Sequence, residues 1–252
     1  MRDSFSRKAP FFQMASDALL FPDPPLESLQ TLQAGFALRQ GSALKFAREV
    51  IPFAAVTQNT PSAMADLHAL MASGESAFLV SYATPATAPG LICKGPQGVM
   101  QIEWPALAAI PLQPETLAIE PLTCDKAAEM VALTDAAFPG FFRARTCELG
   151  PYYGIRDPQA DKRLVAMCGE RMNIQKDGQT FRELSGLCTL PAYRGRGYAA
   201  VLMARLLHGH RAQGHRSYLH VSSHNTGAIA LYERMGFLNR GEFSLYTVTR
   251  AD

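Results

Sequence analysis

Apolar runs with a strand's rhythm and amphipathic runs with a helix's rhythm alternate along most of this 252-residue chain. In the second half, residues 117–121, 152–156, 163–173, 181–190 and 216–222 read as strands. Residues 125–137, 196–213 and 225–235 read as helices, the first with an acidic opening turn that suits the helix dipole. Turns are expected at Asp157-Pro158 and Lys176-Asp177-Gly178, and a final strand pair around 237–249. In the first half, 14–21 and 26–40 read as helices separated by Pro22, Pro24 and Pro25. A third helix at 62–72 lies between strands at 54–57 and 77–82. Residues 91–94 and 99–103 read as a hairpin turning at Gly95-Pro96-Gln97-Gly98.

This order describes a mixed α/β protein with β–α–β crossovers. A composition shift near 110–115 divides the chain into two lobes, 1–112 and 113–252. The N-terminal lobe runs strand, helix, strand, hairpin. That order fits a degenerate second copy of half the C-terminal fold, and equally an unrelated α/β cap.

The most informative stretch is Arg194-Gly195-Arg196-Gly197-Tyr198-Ala199. It follows an apolar strand and Pro191, and it opens the amphipathic run that stops at Gly214. A strand that turns through glycines into a helix leaves N–H groups unpaired at the positive end of the helix dipole. Such a turn binds phosphate through its main chain. Gly195 and Gly197 allow close approach, and Arg194 and Arg196 add positive charge. The spacing fits neither a Walker loop nor a dinucleotide G-x-G-x-x-G.

What remains, R-x-x-G-x-A, resembles the pyrophosphate loop of the GNAT superfamily of acetyl-CoA-dependent N-acyltransferases. Residues 225–237, beginning Asn225-Thr226-Gly227-Ala228 and ending Met235-Gly236-Phe237, resemble that family's second signature, N-x-x-A-x-x-L-Y-x-x-x-G-F. Asn225 suits an N-cap and Gly236 a C-terminal stop, and Asn225 and Tyr232 share a helical face. Glu183 stands eleven residues before Arg194, where many family members carry a glutamate that acts as base or orders water. The resemblance covers about residues 115–250, with the C-terminal lobe nearest to glycine N-acyltransferase-like proteins.

The resemblance implies a cosubstrate, acetyl-CoA, laid between strands 181–190 and 216–222, which should splay apart. The N–H groups of Arg196, Gly197, Tyr198 and Ala199 would hold its diphosphate, with Arg194 and Gly195 also at the cofactor. The main chain of Leu187, Cys188 and Thr189 would hold the pantetheine, with Asn225 as a tether and a bulge near Gly186. Tyr232 would donate a proton to the leaving thiolate, and Glu183 would help remove the amine proton. The implied activity is transfer of an acetyl group to a primary amine, with a small-molecule or amino-acid acceptor favoured. A silent coenzyme A-binding module and a protein N-terminal or lysine acetyltransferase are the alternatives.

Composition narrows the partners. A net charge of +2 argues against a nucleic-acid-binding surface as the main business. No apolar run reaches membrane-spanning length, and residues 1–8 lack the apolar core of a secretory signal. A cytoplasmic monomer or homodimer is expected. The five cysteines are dispersed without C-x-x-C pairs, which suits reduced thiols. Cys188 reads as a buried small hydrophobe rather than a nucleophile. His208, His210, His215, His220 and His224 lack zinc-ligand spacing, so no metal is expected. Tyr152 and Tyr153 are candidates for the acceptor site, with burial the simpler role.

Overall fold

Residues 19–111, 117–137 and 139–251 are described by the computed structural model of the protein. The first half holds α1 (Pro24–Gln30), β1 (Ala37–Gln40), β2 (Ala43–Phe46), β3 (Phe53–Val56), α2 (Pro61–Leu70), β4 (Ser76–Ser81) and β5 (Leu91–Trp104). The second half holds β6 (Glu120–Leu122), α3 (Ala127–Ala137), β7 (Tyr152–Asp157), β8 (Arg163–Glu170), β9 (Ile174–Lys176) and β10 (Gln179–Thr189). It continues with α4 (Tyr198–Ala212), β11 (Arg216–Ser222), α5 (Thr226–Met235) and β12 (Leu238–Arg250). The mixed α/β class expected from the sequence is the class found.

The strands join in one sheet, in the order β1-β2-β3-β4-β12-β5-β11-β10-β8-β7-β6, with β9 beside β10. Two adjacent pairs are parallel, β3 with β4 and β10 with β11. Each is linked by a helix, α2 or α4, as a parallel pair requires. The sheet crosses position 112 by exchange: β5 lies against β11, and β12 lies against β4. Read from either end, the order is nearly a palindrome about the β12–β5 pair.

Local patterns mislead where long-range pairing decides. The helix expected over 26–40 ends at Gln30, and Ala37–Gln40 pairs with β2 instead. Asp23 caps α1 by accepting from the Leu26 N–H at 3.0 Å, and two prolines fill its first turn. The segment 37–40 is largely exposed and has no apolar stripe to hold a helix, so an open strand edge wins it. The hairpin expected at 91–103 is one continuous strand. Both of its halves pair with β12, from Leu91 opposite Arg250 to Glu103 opposite Leu238. A register shift between Leu245 and Thr247 absorbs the Gly95-Pro96 step. The final strand pair is likewise a single strand. The helix expected at 14–21 lies largely outside the described residues.

The main core gathers Met130 and Leu133 of α3 and Leu202, Met203, Leu206 and Leu207 of α4. They pack with the inward residues of β7, β8, β10 and β11. No helix among the described residues is long and apolar enough to cross a membrane. The reduced-thiol expectation needs one correction: Cys124 and Cys147 form a disulfide, with Cα atoms 5.5 Å apart. The partners are 23 residues apart in sequence and meet because the turns flanking α3 fold together, so spacing gave no signal. Cys93, Cys168 and Cys188 are free. Reduction should lower stability by about 3 kcal/mol, the loop-closure scale for such a separation. Thermal melts with and without dithiothreitol test this, and an unchanged Tm would contradict it.

Candidate functional site

The site lies where β10 and β11 part. They pair only from Phe181 opposite Arg216 to Glu183 opposite Tyr218. Beyond that point β10 departs from its other neighbour too. From Ser185 to Cys188 it takes three steps where β8 takes two, from Gly169 to Met167. That extra residue is a bulge, and Gly186 adopts φ 63° within it. Gly186 and Leu187 therefore lie between the paired positions, at the gap rather than in the ladder. Leu187 lines the gap, while Cys188 faces inward, 5% exposed, with its thiol pushed up to about 12 by burial.

At the end of β10, the turn expected to hold phosphate is open. Arg194 N–H donates to Pro191 O at 3.3 Å, and Val201 N–H to Gly197 O at 3.2 Å. Between them, the N–H groups of Gly195 to Ala199 have no partner among the described residues. Gly197 sits at the N-cap of α4 with φ 78°, and Gly195 has φ 77°. A Cβ on either would meet no atom within 4 Å. Arg194 donates to Thr189 O at 3.3 Å, and Arg196 lies 4.9 Å over the Tyr193 ring. Both guanidinium groups are thus held beside the exposed turn.

A cavity of about 300 Å³ occupies the gap. Asn225 and Tyr232 both line it, and Asn225 also caps α5 by accepting from the Ala228 N–H at 3.1 Å. Tyr232 is 8% exposed, and burial pushes its phenol well above the ordinary value. It stays protonated at neutral pH and able to donate. The far wall comes from the first half: Pro24, Pro25, Phe53 and Val80, with Gln97 and Val99 of β5. Phe141 and Phe142 close another side.

Glu183 does not take the place expected for a base. Its side chain is fully buried and is not part of the cavity wall. Both oxygens are engaged: Arg171 donates from Nε at 3.0 Å and Nη2 at 2.6 Å, and the Met172 N–H donates at 2.8 Å. His220 Nδ1 lies 2.8 Å from Oε1. Burial alone would raise its pKa, but the Arg171 charge and the His220 hydrogen bond outweigh it and hold the carboxyl at about 2. The donors on both of its oxygens make the carboxylate an anchor that fixes Arg171 and His220.

Those two residues, with Gln101, were not singled out in the sequence for this site. His220 and Arg171 line the cavity. Gln101 Oε1 accepts from the Leu20 and Phe21 N–H groups at 2.6 and 3.1 Å, which turns its amide nitrogen toward His220 Nε2 at 3.2 Å. The two ring nitrogens of His220 thus face Gln101 on one side and Glu183 on the other. One signal was available: on strand 216–222, Tyr218, His220 and Ser222 share a face beside Glu183. Tyr152 is buried at the cavity wall, with a hydroxyl that has no partner among the described residues. No cluster of His, Cys, Asp and Glu suited to a metal ion occurs among the described residues.

Glu183→Gln should lower stability by about 3–5 kcal/mol, because it leaves the Arg171 cation uncompensated. Denaturant unfolding measures this, and a loss under 1 kcal/mol would deny the pair its structural weight. The carboxyl is depressed below its ordinary 4.5, so its contribution is full above that value. It is lost as pH falls toward 2.

The comparisons with known proteins agree with this geometry. A model of the acetyltransferase (GNAT) family matches residues 126–237. The structure of a putative GNAT-family acetyltransferase from Novosphingobium aromaticivorans is 32% identical, with a TM-score of 0.79. That match covers 92% of this chain and 98% of the other. A GCN5-related N-acetyltransferase from Kribbella flavida shares the fold at 18% identity and a TM-score of 0.59, over 90% of this chain and 94% of its own. A Drosophila protein does so at 14% identity and 0.54, over 90% and 88%. Among curated proteins the sequence has no match. The chain belongs to the GNAT family of acetyltransferases, whose members use acetyl-CoA. By family and fold it is an acyltransferase.

Proposed function

We propose that the protein transfers the acetyl group of acetyl-CoA directly to the primary amine of a small molecule or amino acid. The observation that carries this reading is the continuity of three features: the open glycine turn, the bulged and splayed edge of β10, and the walled cavity holding Tyr232. Gly195 to Ala199 present their unpaired N–H groups to the diphosphate, and Arg194 and Arg196 add charge beside them. The main chain of Leu187 to Thr189 receives the pantetheine along the unpaired edge, and Asn225 lies at its side. Bound acetyl-CoA supplies an activated acetyl group as a thioester.

The chain's own residues then do three things. Main-chain N–H groups at the bulge lie where they can polarise the carbonyl. Tyr232 Oη delivers a proton to the departing sulfur. The cavity walls exclude bulk water from the reacting atoms. No Asp or Glu among the described residues lines the cavity, so a carboxylate reaches the amine proton only through water.

A small acceptor is favoured over a protein because Pro24, Phe53 and Val80 add a wall from the first half of the chain to the cavity. A silent coenzyme A-binding module has no use for a protonated phenol in the cavity. Steady-state release of coenzyme A across a panel of amines, beside calorimetric binding of acetyl-CoA, tests the reading. Tight binding without turnover on any amine would favour the module. We also propose that residues 1–112 descend from a second copy of the fold, on the near-palindromic strand order. That half now supplies β5 and the cavity's far wall.

A further inference from the structure

Arg171 uses only one of its two hydrogen-bonding edges on the protein. Nε and Nη2 form the side edge and grip Glu183. The end edge, Nη1 with the second N–H of Nη2, has no partner among the described residues. The guanidinium lies over the Phe53 ring, 4.9 Å from its centroid, and its side chain is 12% exposed, at the cavity wall. A guanidinium fixed on one edge and open on the other presents two parallel donors at the spacing of a carboxylate's oxygens.

The remaining wall gives that edge a meaning. Its other titratable members are His220, Tyr152 and Tyr232, and none is a carboxylate. A polycation such as a polyamine would enter beside Arg171 with no carboxylate to meet it. In a confined site of low effective dielectric that arrangement is strongly disfavoured. A zwitterion adds no net charge to the Arg171–Glu183 pair. Phe53, Phe141, Phe142, Val80, Phe243 and Leu245 supply an apolar lining for the rest of the molecule. Phe141 is itself braced, stacked on Phe78 at 4.7 Å.

We infer that the acceptor is an amine bearing a carboxylate and an apolar body, an apolar amino acid in type, with its carboxylate docked on the free edge of Arg171. This rests on the proposed acetyl transfer and names the substrate class for it. Arg171 is then a specificity-determining residue, and Glu183 acts behind it by aiming its open edge.

The test uses product-side probes, which report binding without turnover: N-acetyl-leucine and N-acetyl-phenylalanine against their amides, on the protein with coenzyme A bound. The acids should bind at least about tenfold more tightly than the amides. In Arg171→Lys, which keeps a charge near Glu183 but loses the planar edge, that preference should shrink to about threefold or less. In turnover, apolar amino acids should exceed spermidine in kcat/KM by about a hundredfold or more. Equal binding of acid and amide by the wild-type protein, no binding of either, or preference for spermidine would each overturn the inference. The wild-type comparison stands even where Arg171→Lys fails to fold. Failure of coenzyme A itself to bind would instead strike at the acetyl-transfer reading.

Discussion

Gly197→Val is expected to abolish measurable acetyl-CoA binding, weakening Kd by about a hundredfold or more while leaving the fold intact. Two independent effects combine. Gly197 holds φ 78° at the N-cap of α4, and a β-branched residue in that region costs on the order of 1–3 kcal/mol. Relief of that strain would rotate the first-turn N–H groups away from their common focus. The added side chain also meets no protein atom near its Cβ. It would therefore extend into the open space at the mouth of the turn, where the diphosphate is proposed to lie. Isothermal calorimetry with acetyl-CoA reads the result, and circular dichroism checks the fold. Binding within threefold of wild type would remove the turn from the proposed site.

Tyr232→Phe is expected to lower kcat by roughly ten- to a hundredfold, with acetyl-CoA affinity little changed. The substitution removes one oxygen from a ring that is otherwise packed, with Phe237 5.8 Å away, so the core should tolerate it. The phenol is held protonated by burial. Its loss should therefore act on departure of the thiolate rather than on ground-state binding. A thiol of low basicity departs with less help, so an acyl thioester with a better leaving group should recover part of the rate in the variant. An unchanged kcat with acetyl-CoA would take Tyr232 out of the mechanism.

Much of the proposed cofactor half of the site was legible in the sequence because its determinants are local. Gly195, Gly197 and the start of α4 are consecutive, and Asn225 to Gly236 is one capped helix. Such features depend on φ preferences and capping chemistry that neighbouring residues carry with them. The proposed acceptor half was not legible. Gln101 of β5, His220 of β11 and Arg171 of the connection between β8 and β9 meet around Glu183 only after folding. Glu183 itself was found, but as a base. Its neighbours convert it into a buried anchor, and no local pattern encodes how many donors surround a carboxylate.

The sequence alone determined the class of the sheet, the α4 and α5 helices and the turn between β10 and α4, since backbone propensity and short-range bonding specify these. Tertiary structure alone decided that 91–104 is one strand, that β5 and β12 change places across the middle of the sheet, and that the first half walls the cavity. It also decided that Cys124 meets Cys147. Each of these outcomes depends on which distant strand edge or side chain satisfies a main-chain group, an apolar face or a charge. That choice is made by the free energy of the whole fold, and no single window of residues contains it.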